Sequence, residues 1–493
     1  MNIGNKPLLI VRQLLDRFNE NEINYCHWKS NQHFDDALTG IDDLDILIDR
    51  SQYGRVMTIL QELKYKHFYI PTSRAYVGIE DFIGFDYEKG SLVHLHLHSQ
   101  LVVGEKHLKG FHLPIEGEVL SHRRFDKEHS VYMSSFFYEL LLLILRVSMK
   151  LRCRDIIKYN IISGATKAEF EWLKANCPEF LDKLYSVDWL TVRIKKAIED
   201  IYSGKDNWFE VHRLQHYLYV DLSPWSQGSI LYNSFKRIER EAERIILEIN
   251  RRYLHTKFSF TRRRPATGGL IISFLGSDGA GKSSSISAIR KWLDSFMDVR
   301  YFYMGSGDGD SSLLRFPFKV GLNVAQKVGF VKKANNFNDA NLSEVKNSKL
   351  SYAKSLWVYF LSLERIRKLR DANRCRLRGF VVLTDRYPQV EFPGLCDGKK
   401  INDKKSIAGR KEDECFRLAK LCPPTLVIKM IVPPAIAVSR KPGEIDEETS
   451  RNLTERIKKI KFSDYTKCVE IDSSKKQEEV WLDIKREIWN AIG

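Results

Sequence analysis

None of the eight cysteines of this 493-residue chain forms a Cys-x-x-Cys pair. We also expect no signal peptide before the first of them. Scattered cysteines of this kind are typical of reduced, mostly structural thiols rather than of a disulfide framework. We therefore expect a cytoplasmic protein.

Long hydrophobic runs are also missing from the sequence. The longest, residues 136–145, contains Glu139 and is followed by Arg146, whereas a membrane span needs roughly 20 apolar residues. The run therefore predicts a buried helix and no membrane span. Prolines are few, and the chain has neither a low-complexity tract nor a repeat of solenoid length, so we expect two or three globular domains.

Acidic residues are outnumbered by basic ones, and the formal net charge is +16. An excess of this size favours anionic partners, which include nucleotides, phosphorylated sugars, nucleic acid and the inner face of a membrane. No nucleic-acid recognition motif appears, so a small anionic molecule is favoured over nucleic acid. The sequence leaves open whether the protein forms a homo-oligomer.

The pattern of apolar residues changes along the chain and predicts four regions. Residues 1–125 combine short strands with helices, which indicates an α+β domain, and residues 126–260 are predicted to be a helical region. Residues 261–269 contain three arginines, a proline and two glycines, and we interpret them as a solvated linker. Strand and helix patterns alternate over 270–493, which is typical of a parallel α/β sheet.

A strand pattern at 270–275 runs directly into a glycine-rich string, and a helix pattern follows it. This is the complete G-x-x-x-x-G-K-[ST] motif in its required strand–loop–helix context. Its backbone N–H groups and helix N-terminus are expected to bind the phosphates of ATP or GTP, while Lys282 reaches the terminal phosphates and Ser283 ligates Mg²⁺. The predicted nucleotide-binding residues are Gly276, Ser277, Gly279, Ala280, Gly281, Lys282, Ser283 and Ser284.

A second strand pattern, at 380–384, ends in Asp385 and Arg386. Ligands of open α/β sheets bind at the carboxyl ends of the strands, so Asp385 is expected to hold Mg²⁺ and Arg386 to neutralise phosphoryl charge. A third strand, at 425–432, precedes a basic segment that includes Arg440 and Arg451. We interpret this segment either as a mobile lid over the substrate or, equally well, as a solvated helix face.

The order of these features over 268–493 resembles that of thymidylate kinase. The resemblance implies that Asp278, the acidic residue of the loop, approaches the acceptor and that Arg365 binds it, with Lys282, Asp278, Arg386 and Asp385 as catalytic residues. The chain departs from that family at 305–310, at a long basic insertion that continues to Lys333, and at 394–400. These departures argue against thymidine monophosphate as the acceptor.

The N-terminal region carries Asp43 and Asp45 at the start of a strand, where two carboxylates on one face can share a divalent metal. Together with the preceding 27–31 string, this arrangement resembles the nucleotidyltransferase superfamily. Two-metal chemistry commonly needs a third carboxylate on a neighbouring strand, and we expect histidines, His94, His96 and His98, at those positions. An active transferase that recruits another acid, a regulatory relic and a transition-metal site all remain open.

The sequence thus predicts a fusion of a nucleotidyltransferase-like domain, a helical connector and a thymidylate kinase-like P-loop domain. The expected function is ATP-dependent phosphoryl transfer to a small nucleotide, sugar or phosphosugar, and by analogy the fusion suggests surface-polysaccharide metabolism. The alternative is a metal-dependent nucleotidyltransferase whose P-loop domain binds nucleotide for regulation.

Overall fold

The computed structural model describes residues 6–250, 253, 260–305, 348–401, 403, 405–443 and 446–493, with side chains from residue 355 onward in the helix that begins at Ser348. The chain divides into two compact units, Met1–His255 and Thr256–Gly493. The predicted strand-rich region and residues 126–255 of the predicted helical region lie in the first unit. Their separation at residue 125 stays a prediction.

The first unit combines a mixed sheet with a group of helices. Its strands are β1 (Tyr25–His27), β2 (Leu44–Ile48), β3 (Lys66–Tyr69), β4 (Ile79–Phe85), β5 (Leu92–His98), β6 (Leu101–Val103), β7 (Phe111–Leu113), β8 (Arg124–Asp126) and β9 (Val131–Met133). Its helices are α1 (Leu9–Glu20), α2 (Phe34–Thr39), α3 (Tyr53–Glu62), α4 (Glu116–Ser121), α5 (Phe136–Met149), α6 (Ala165–Ala175), α7 (Phe180–Tyr185), α8 (Val192–Tyr202), α9 (Trp208–Asp221) and α10 (Ile230–Ile249).

The strands that carry the predicted metal ligands lie side by side at the centre of the main sheet. This sheet contains the run β3-β4-β5-β2-β1-β9-β8, while β6 and β7 pair separately. Strand β2 is parallel to β5 and antiparallel to β1, and β4 is antiparallel to β5. All five residues of β2 are buried, so both faces of this strand are covered.

Helix α5 is the centre of the helical layer and confirms the predicted buried helix. Ser135 begins it by accepting a hydrogen bond from the Tyr138 amide, and its apolar side chains pack against α6 to α9. Glu139 is buried in this helix, and burial raises its pKa to about 7. Its carboxylate accepts hydrogen bonds from the backbone N–H and side-chain amide of Asn31, at 2.9 and 2.7 Å, which ties the turn after β1 to α5.

The second unit is the predicted α/β sheet. Its strands, after a two-residue segment at Arg264–Pro265, are β10 (Leu270–Gly276), β11 (Val299–Tyr303), β12 (Val381–Asp385), β13 (Leu426–Ile431) and β14 (Lys467–Asp472). Its helices are α11 (Lys282–Asp294), α12 (Ser348–Leu377), α13 (Ile407–Leu421), α14 (Pro434–Arg440), α15 (Glu447–Lys459) and α16 (Gln477–Ala491).

All neighbouring strands of this sheet are parallel, in the order β11-β12-β10-β13-β14. The central strands are buried apolar runs, as expected for a sheet covered on both faces. The chain leaves β10 toward β11 but leaves β13 toward β14. The carboxyl ends of β10 and β13 therefore flank the reversal in strand order at which such sheets bind ligands.

Two further features concern α10 and the predicted linker. Most large apolar side chains along α10 are exposed, from 45% at Ile249 to 83% at Leu231. The arginine-rich linker is not simply solvated, because the Arg264 guanidinium lies 4.0 Å from the ring of Phe380 and its Nε donates to Asp298 at 3.2 Å. The predicted basic insertion that follows residue 310 and continues to Lys333 lies outside the described residues.

Two general expectations from the sequence can be compared with the structure. Within the described part of the chain, no helix has both the length and the apolarity to cross a membrane. The eight cysteines all fall within the described ranges, and each is a free thiol.

Gly269 has no room for a side chain. A Cβ atom at this position would lie 2.4 Å from the carbonyl oxygen of Arg376 and 2.5 Å from that of Phe380. Because both are main-chain atoms, a Gly269→Ala change should displace β10 from β12 and destabilise the second unit by about 1–3 kcal/mol in urea denaturation. Gly117→Ala is the control, since a Cβ there meets nothing within 4 Å. Equal stability of the two variants would contradict the expectation.

Candidate functional site

The loop between β10 and α11 adopts backbone conformations that favour glycine at two positions. Gly279 and Gly281 have φ angles of +84° and +82°, in the left-handed region. A Cβ on Gly279 would also lie 2.5 Å from the carbonyl oxygen of Ala437 in α14. The loop ends at the N-terminus of α11, where unpaired backbone N–H groups and the helix dipole favour an anion.

Lys282 is held by the loop that precedes it. Its Nζ donates hydrogen bonds to the carbonyl oxygens of Gly276 and Ser277, at 2.8 and 2.9 Å, and lies 3.9 Å from an oxygen of Asp278. Burial, together with the nearby positive charge of Arg386, lowers the pKa of Lys282 to about 8. The amine of Lys282 is thus fixed at the loop, and its pKa of about 8 lies close to neutral pH.

Asp385 ends β12 next to the loop, directly opposite Phe274 of β10. It is buried, and its Oδ1 has no hydrogen-bond partner among the described residues. Burial raises the pKa of this carboxyl group, against the lowering effect of Lys282 and Arg386. With the exposed Ser283 in the first turn of α11, it provides the hard oxygen donors that suit Mg²⁺.

A buried carboxylate, Asp397, joins the two predicted arginines. Its Oδ1 lies 2.5 Å from Arg365 Nη2, and its Oδ2 lies 3.4 Å from Arg386 Nη1. Burial alone would raise the pKa of Asp397, but Arg386 and Arg365 hold it below the usual value. Arg365 also donates to the Met304 carbonyl oxygen at 2.9 Å, and the other end of Arg386 lies 3.3 Å from Asp278.

This arrangement requires unusual backbone conformations. Arg386 has a φ of +66°, Cys396 of +46° and Asp397 of +65°. Non-glycine residues in the left-handed region cost of order 1–3 kcal/mol each and cluster at functional sites. The strained backbone here positions the side chains that surround Asp278 and Lys282.

The two predicted lid arginines lie in different surroundings. Arg440, at the end of α14, donates to the Gly279 carbonyl oxygen at 3.4 Å and to that of Ser473 at 3.0 Å. Arg451, on α15, lines a groove together with Pro433 and Asp472, beyond the ends of β13 and β14. The structure therefore places Arg440 against the phosphate loop and Arg451 in the adjacent groove.

In the first unit, the predicted metal ligands lie on adjacent strands. Asp45 of β2 is in register with His96 of β5, which is in register with Asp81 of β4. As expected, His94, His96 and His98 lie on the strand next to β2. The choice among a transferase with another acid, a regulatory relic and a transition-metal site stays open, and the structure adds one buried carboxylate to the same row, Asp81. Its place is set by the pairing of β4 with β5, which no local spacing reveals.

Histidines and carboxylates alternate within this cluster. His94 lies 2.6 Å from Asp43 through Nδ1 and 2.6 Å from Asp81 through Nε2. The ring nitrogens of His96 lie 3.4 to 3.6 Å from oxygens of Asp43, Asp45 and Asp81. One ligand atom each from Asp43, His94 and His96 falls within 4.8 Å of the others. His98 adds a contact of 3.2 Å to Asp45.

Cations border the same cluster. Lys29, in the turn after β1, places Nζ 2.9 Å from Asp45, and it holds the pKa of that carboxyl group well below its usual value although burial acts in the opposite direction. Lys109 lies with Nζ 4.2 Å from the centre of the Tyr76 ring. Burial and the positive charges of Lys29 and Lys150 lower its pKa to about 7.

Comparison with known proteins finds relatives that match part of the chain. No protein-family model matches the chain. The chain is 27% identical over 223 residues to the Uncharacterized ATP-binding protein YghR of Escherichia coli strain K12. The match covers 43% of this chain and 83% of that protein. The Uncharacterized ATP-binding protein YghS of that strain is 26% identical over 184 residues, 35% of this chain and 73% of that protein.

One solved structure is also similar in part. Thymidylate kinase from Ehrlichia chaffeensis matches at 14% identity, covering 45% of this chain and 99% of that chain, with a TM-score of 0.25. A score this low carries no argument about function.

The structure brings most predicted residues of the P-loop half together. Lys282, Asp278, Arg386 and Arg365 form one connected set, with Asp385 at the same edge of the sheet. Their chemical roles stay predictions. Asp397 was missed, because it lies in the 394–400 stretch, which departs from the family pattern; its Asp-Gly pair indicates a turn but not a buried ion pair.

The buried position of Asp397 predicts a large effect of neutralising it. An Asp397→Asn change should destabilise the second unit by about 3–5 kcal/mol, because it leaves the buried Arg365 without its carboxylate. Asp278→Asn is the matched control: the Asp278 side chain is 42% exposed, and exposed pairs contribute about 0–1 kcal/mol. Urea denaturation of the intact chain measures both. A loss below 1 kcal/mol in Asp397→Asn would refute the proposed dependence.

Proposed function

We propose that the second unit binds ATP with Mg²⁺ at residues 276–284 and transfers its γ-phosphoryl group to a small acceptor. The observation that carries the proposal is the glycine-dependent loop at the N-terminus of α11, with Lys282 fixed to its carbonyl oxygens at 2.8 and 2.9 Å. The two relatives whose names describe them as ATP-binding support ATP as the nucleotide. GTP remains the alternative nucleotide.

The nucleotide is expected to bind mainly through the backbone of the loop. Backbone N–H groups of 279–284 would donate to the phosphate oxygens, and Lys282 would exchange its carbonyl partners for the β- and γ-phosphates. Mg²⁺, when bound, neutralises phosphate charge, and Ser283 and Asp385 would hold it. The buried Asp385 Oδ1, which has no partner among the described residues, fits this assignment.

The acceptor is expected on the side of Asp278, Arg386 and Arg365. Asp397 holds Arg386 and Arg365 in place, and Asp278 also contacts Arg386, so the fixed guanidinium groups would stabilise the transferring phosphoryl group and an anionic acceptor. Asp278 can accept a hydrogen bond from an acceptor hydroxyl. A nucleotide, a sugar or a phosphosugar satisfies these requirements, and the chemistry needs positioning and charge rather than a covalent intermediate.

The nucleotidyltransferase-like assignment of the first unit stays a prediction, and one experiment separates the two activities. The intact chain is incubated with Mg²⁺, γ-labelled ATP and a panel of nucleoside monophosphates, sugars and sugar phosphates. Lys282→Ala should reduce label transfer by about 100-fold or more, since it removes a preorganised charge from the transition state. The double change Asp43→Ala/Asp45→Ala is the control and should leave transfer intact.

Other results of this experiment would be equally decisive. Label transfer that survives Lys282→Ala, or no transfer to any member of the panel, would contradict kinase chemistry. Pyrophosphate release that is lost only in the Asp43→Ala/Asp45→Ala variant would favour the nucleotidyltransferase alternative, with the P-loop as a regulatory site.

The lowered pKa of Lys282 predicts a pH dependence of nucleotide binding. A lysine with a pKa of about 8 is charged below that pH and neutral above it, and the triphosphate binds the charged form. ATP binding should therefore take up a proton above pH 8, and the dissociation constant should rise by up to about tenfold per pH unit there. Calorimetry in two buffers of different ionisation enthalpy measures the uptake. A dissociation constant that is equal at pH 7 and pH 9 would contradict it.

A further inference from the structure

The first unit contains a cluster of imidazoles and carboxylates that the proposed kinase chemistry does not use. His94 and His96 are two residues apart on β5, so their side chains lie on the same face of the sheet. Asp45 on β2 lies opposite His96 in register, and Asp43 is two residues earlier. The pairing of β2 with β5 therefore brings Asp43, His94 and His96 together.

The distances around His96 differ from those of a hydrogen-bond network. Its Nδ1 lies 3.5 Å from Asp43 and 3.4 Å from Asp45, and its Nε2 lies 3.6 Å from Asp81. Hydrogen bonds from ring nitrogens to oxygen are about 2.7–3.2 Å long. Two ligand atoms that are each about 2.1 Å from one tetrahedral ion lie about 3.4 Å apart. The spacing of His96 Nδ1 from the oxygens of Asp43 and Asp45 is that of ligands to a common ion, whereas Nε2 faces Asp81 on the other side of the ring.

His94, the second imidazole of the cluster, makes shorter contacts than His96. Each of its ring nitrogens lies 2.6 Å from a carboxylate oxygen, of Asp43 or of Asp81. A carboxylate that contacts the second nitrogen of a metal-bound imidazole is the usual way in which the ring is oriented. Asp81 can orient His94 in this way, and a bound ion would replace the hydrogen bond between His94 Nδ1 and Asp43 with a ligand contact to each of the two side chains.

The types of residue determine the class of ion. Mg²⁺ prefers oxygen ligands in octahedral geometry, whereas two imidazoles with one carboxylate suit Zn²⁺, Mn²⁺ or Fe²⁺. The His96 side chain is 24% exposed and that of Asp43 is 44% exposed, so an ion can reach the cluster from solvent. His94 is 3% exposed, which fixes the inner side of the site.

From this geometry we infer that the first unit binds one divalent transition-metal ion through Asp43, His94 and His96, with Asp81 orienting His94 and Asp45 beside the ion. The inference depends only on the first unit. It is independent of nucleotide binding at residues 276–284. Lys29 and Lys109 next to the cluster would partly balance the charge of the three carboxylates.

The test is metal binding by the intact chain without nucleotide. The protein is stripped with a chelator and dialysed against Zn²⁺ in the presence of millimolar Mg²⁺, and bound metal is measured by mass spectrometry. We expect one Zn²⁺ per chain, a visible absorption spectrum typical of nitrogen ligation when Co²⁺ replaces it, and a rise in the thermal unfolding temperature on binding. A Zn²⁺ content well below one per chain would overturn the inference.

Variants identify the ligands. His96→Gln should weaken Zn²⁺ binding by at least about 100-fold, because even loss of an outer partner costs about 10–100-fold. Asp43→Asn, at a partly exposed side chain, provides a second ligand change that the fold should tolerate. His122→Gln, at an exposed histidine of the same unit, and Lys282→Ala, in the other unit, are controls that should bind Zn²⁺ normally.

The outcomes are distinct from those of the kinase test. Zn²⁺ binding that is unchanged in both folded ligand variants, as judged by circular dichroism, would overturn the assignment of Asp43 and His96. Displacement of Zn²⁺ by an equal concentration of Mg²⁺ would overturn the assignment of the metal class. If Lys282→Ala abolishes phosphoryl transfer but retains Zn²⁺, the two sites are independent, and failure of the proposed kinase activity would leave the metal site standing.

Discussion

The candidate site of the second unit depends on how its positive charges are compensated. Lys282, Arg365 and Arg386 are gathered at the carboxyl edge of a parallel sheet, where like charges in a low-dielectric setting repel strongly. Asp397 lies between the two guanidinium groups, and Asp278 contacts both Arg386 and Lys282. These two carboxylates allow the cations to remain close together, and they determine which parts of the guanidinium groups stay available to a ligand.

The phosphate loop is coupled to the same edge of the sheet by its close contact with α14. Gly279 lies so near the backbone of Ala437 that no side chain fits between them, and Arg440 at the end of α14 donates to the Gly279 carbonyl oxygen. A shift of α14 therefore changes the loop backbone directly. This contact connects the basic segment after β13 directly to the phosphate loop.

The two candidate sites lie at different places on their sheets. In the second unit the site lies beyond the ends of parallel strands, where loops and a helix N-terminus meet. In the first unit it lies on the face of the sheet, because Asp45, His96 and Asp81 form a row across β2, β5 and β4. The candidate site in the first unit is held by strand register, so a slip of one residue in β4 or β5 would move its ligands to the opposite face.

The sequence by itself determined the features that are local in the chain. The phosphate loop, the strand that ends at Asp385 and the buried helix α5 were predicted because their residues are contiguous and their backbone geometry follows from glycine placement and apolar periodicity. Asp397 and Asp81 were decided only by the tertiary structure. Asp397 lies 32 residues from Arg365, and Asp81 reaches the histidines through the antiparallel pairing of β4 with β5. Their importance comes from burial beside a charged partner, and burial is a property of the folded chain rather than of any short stretch of it.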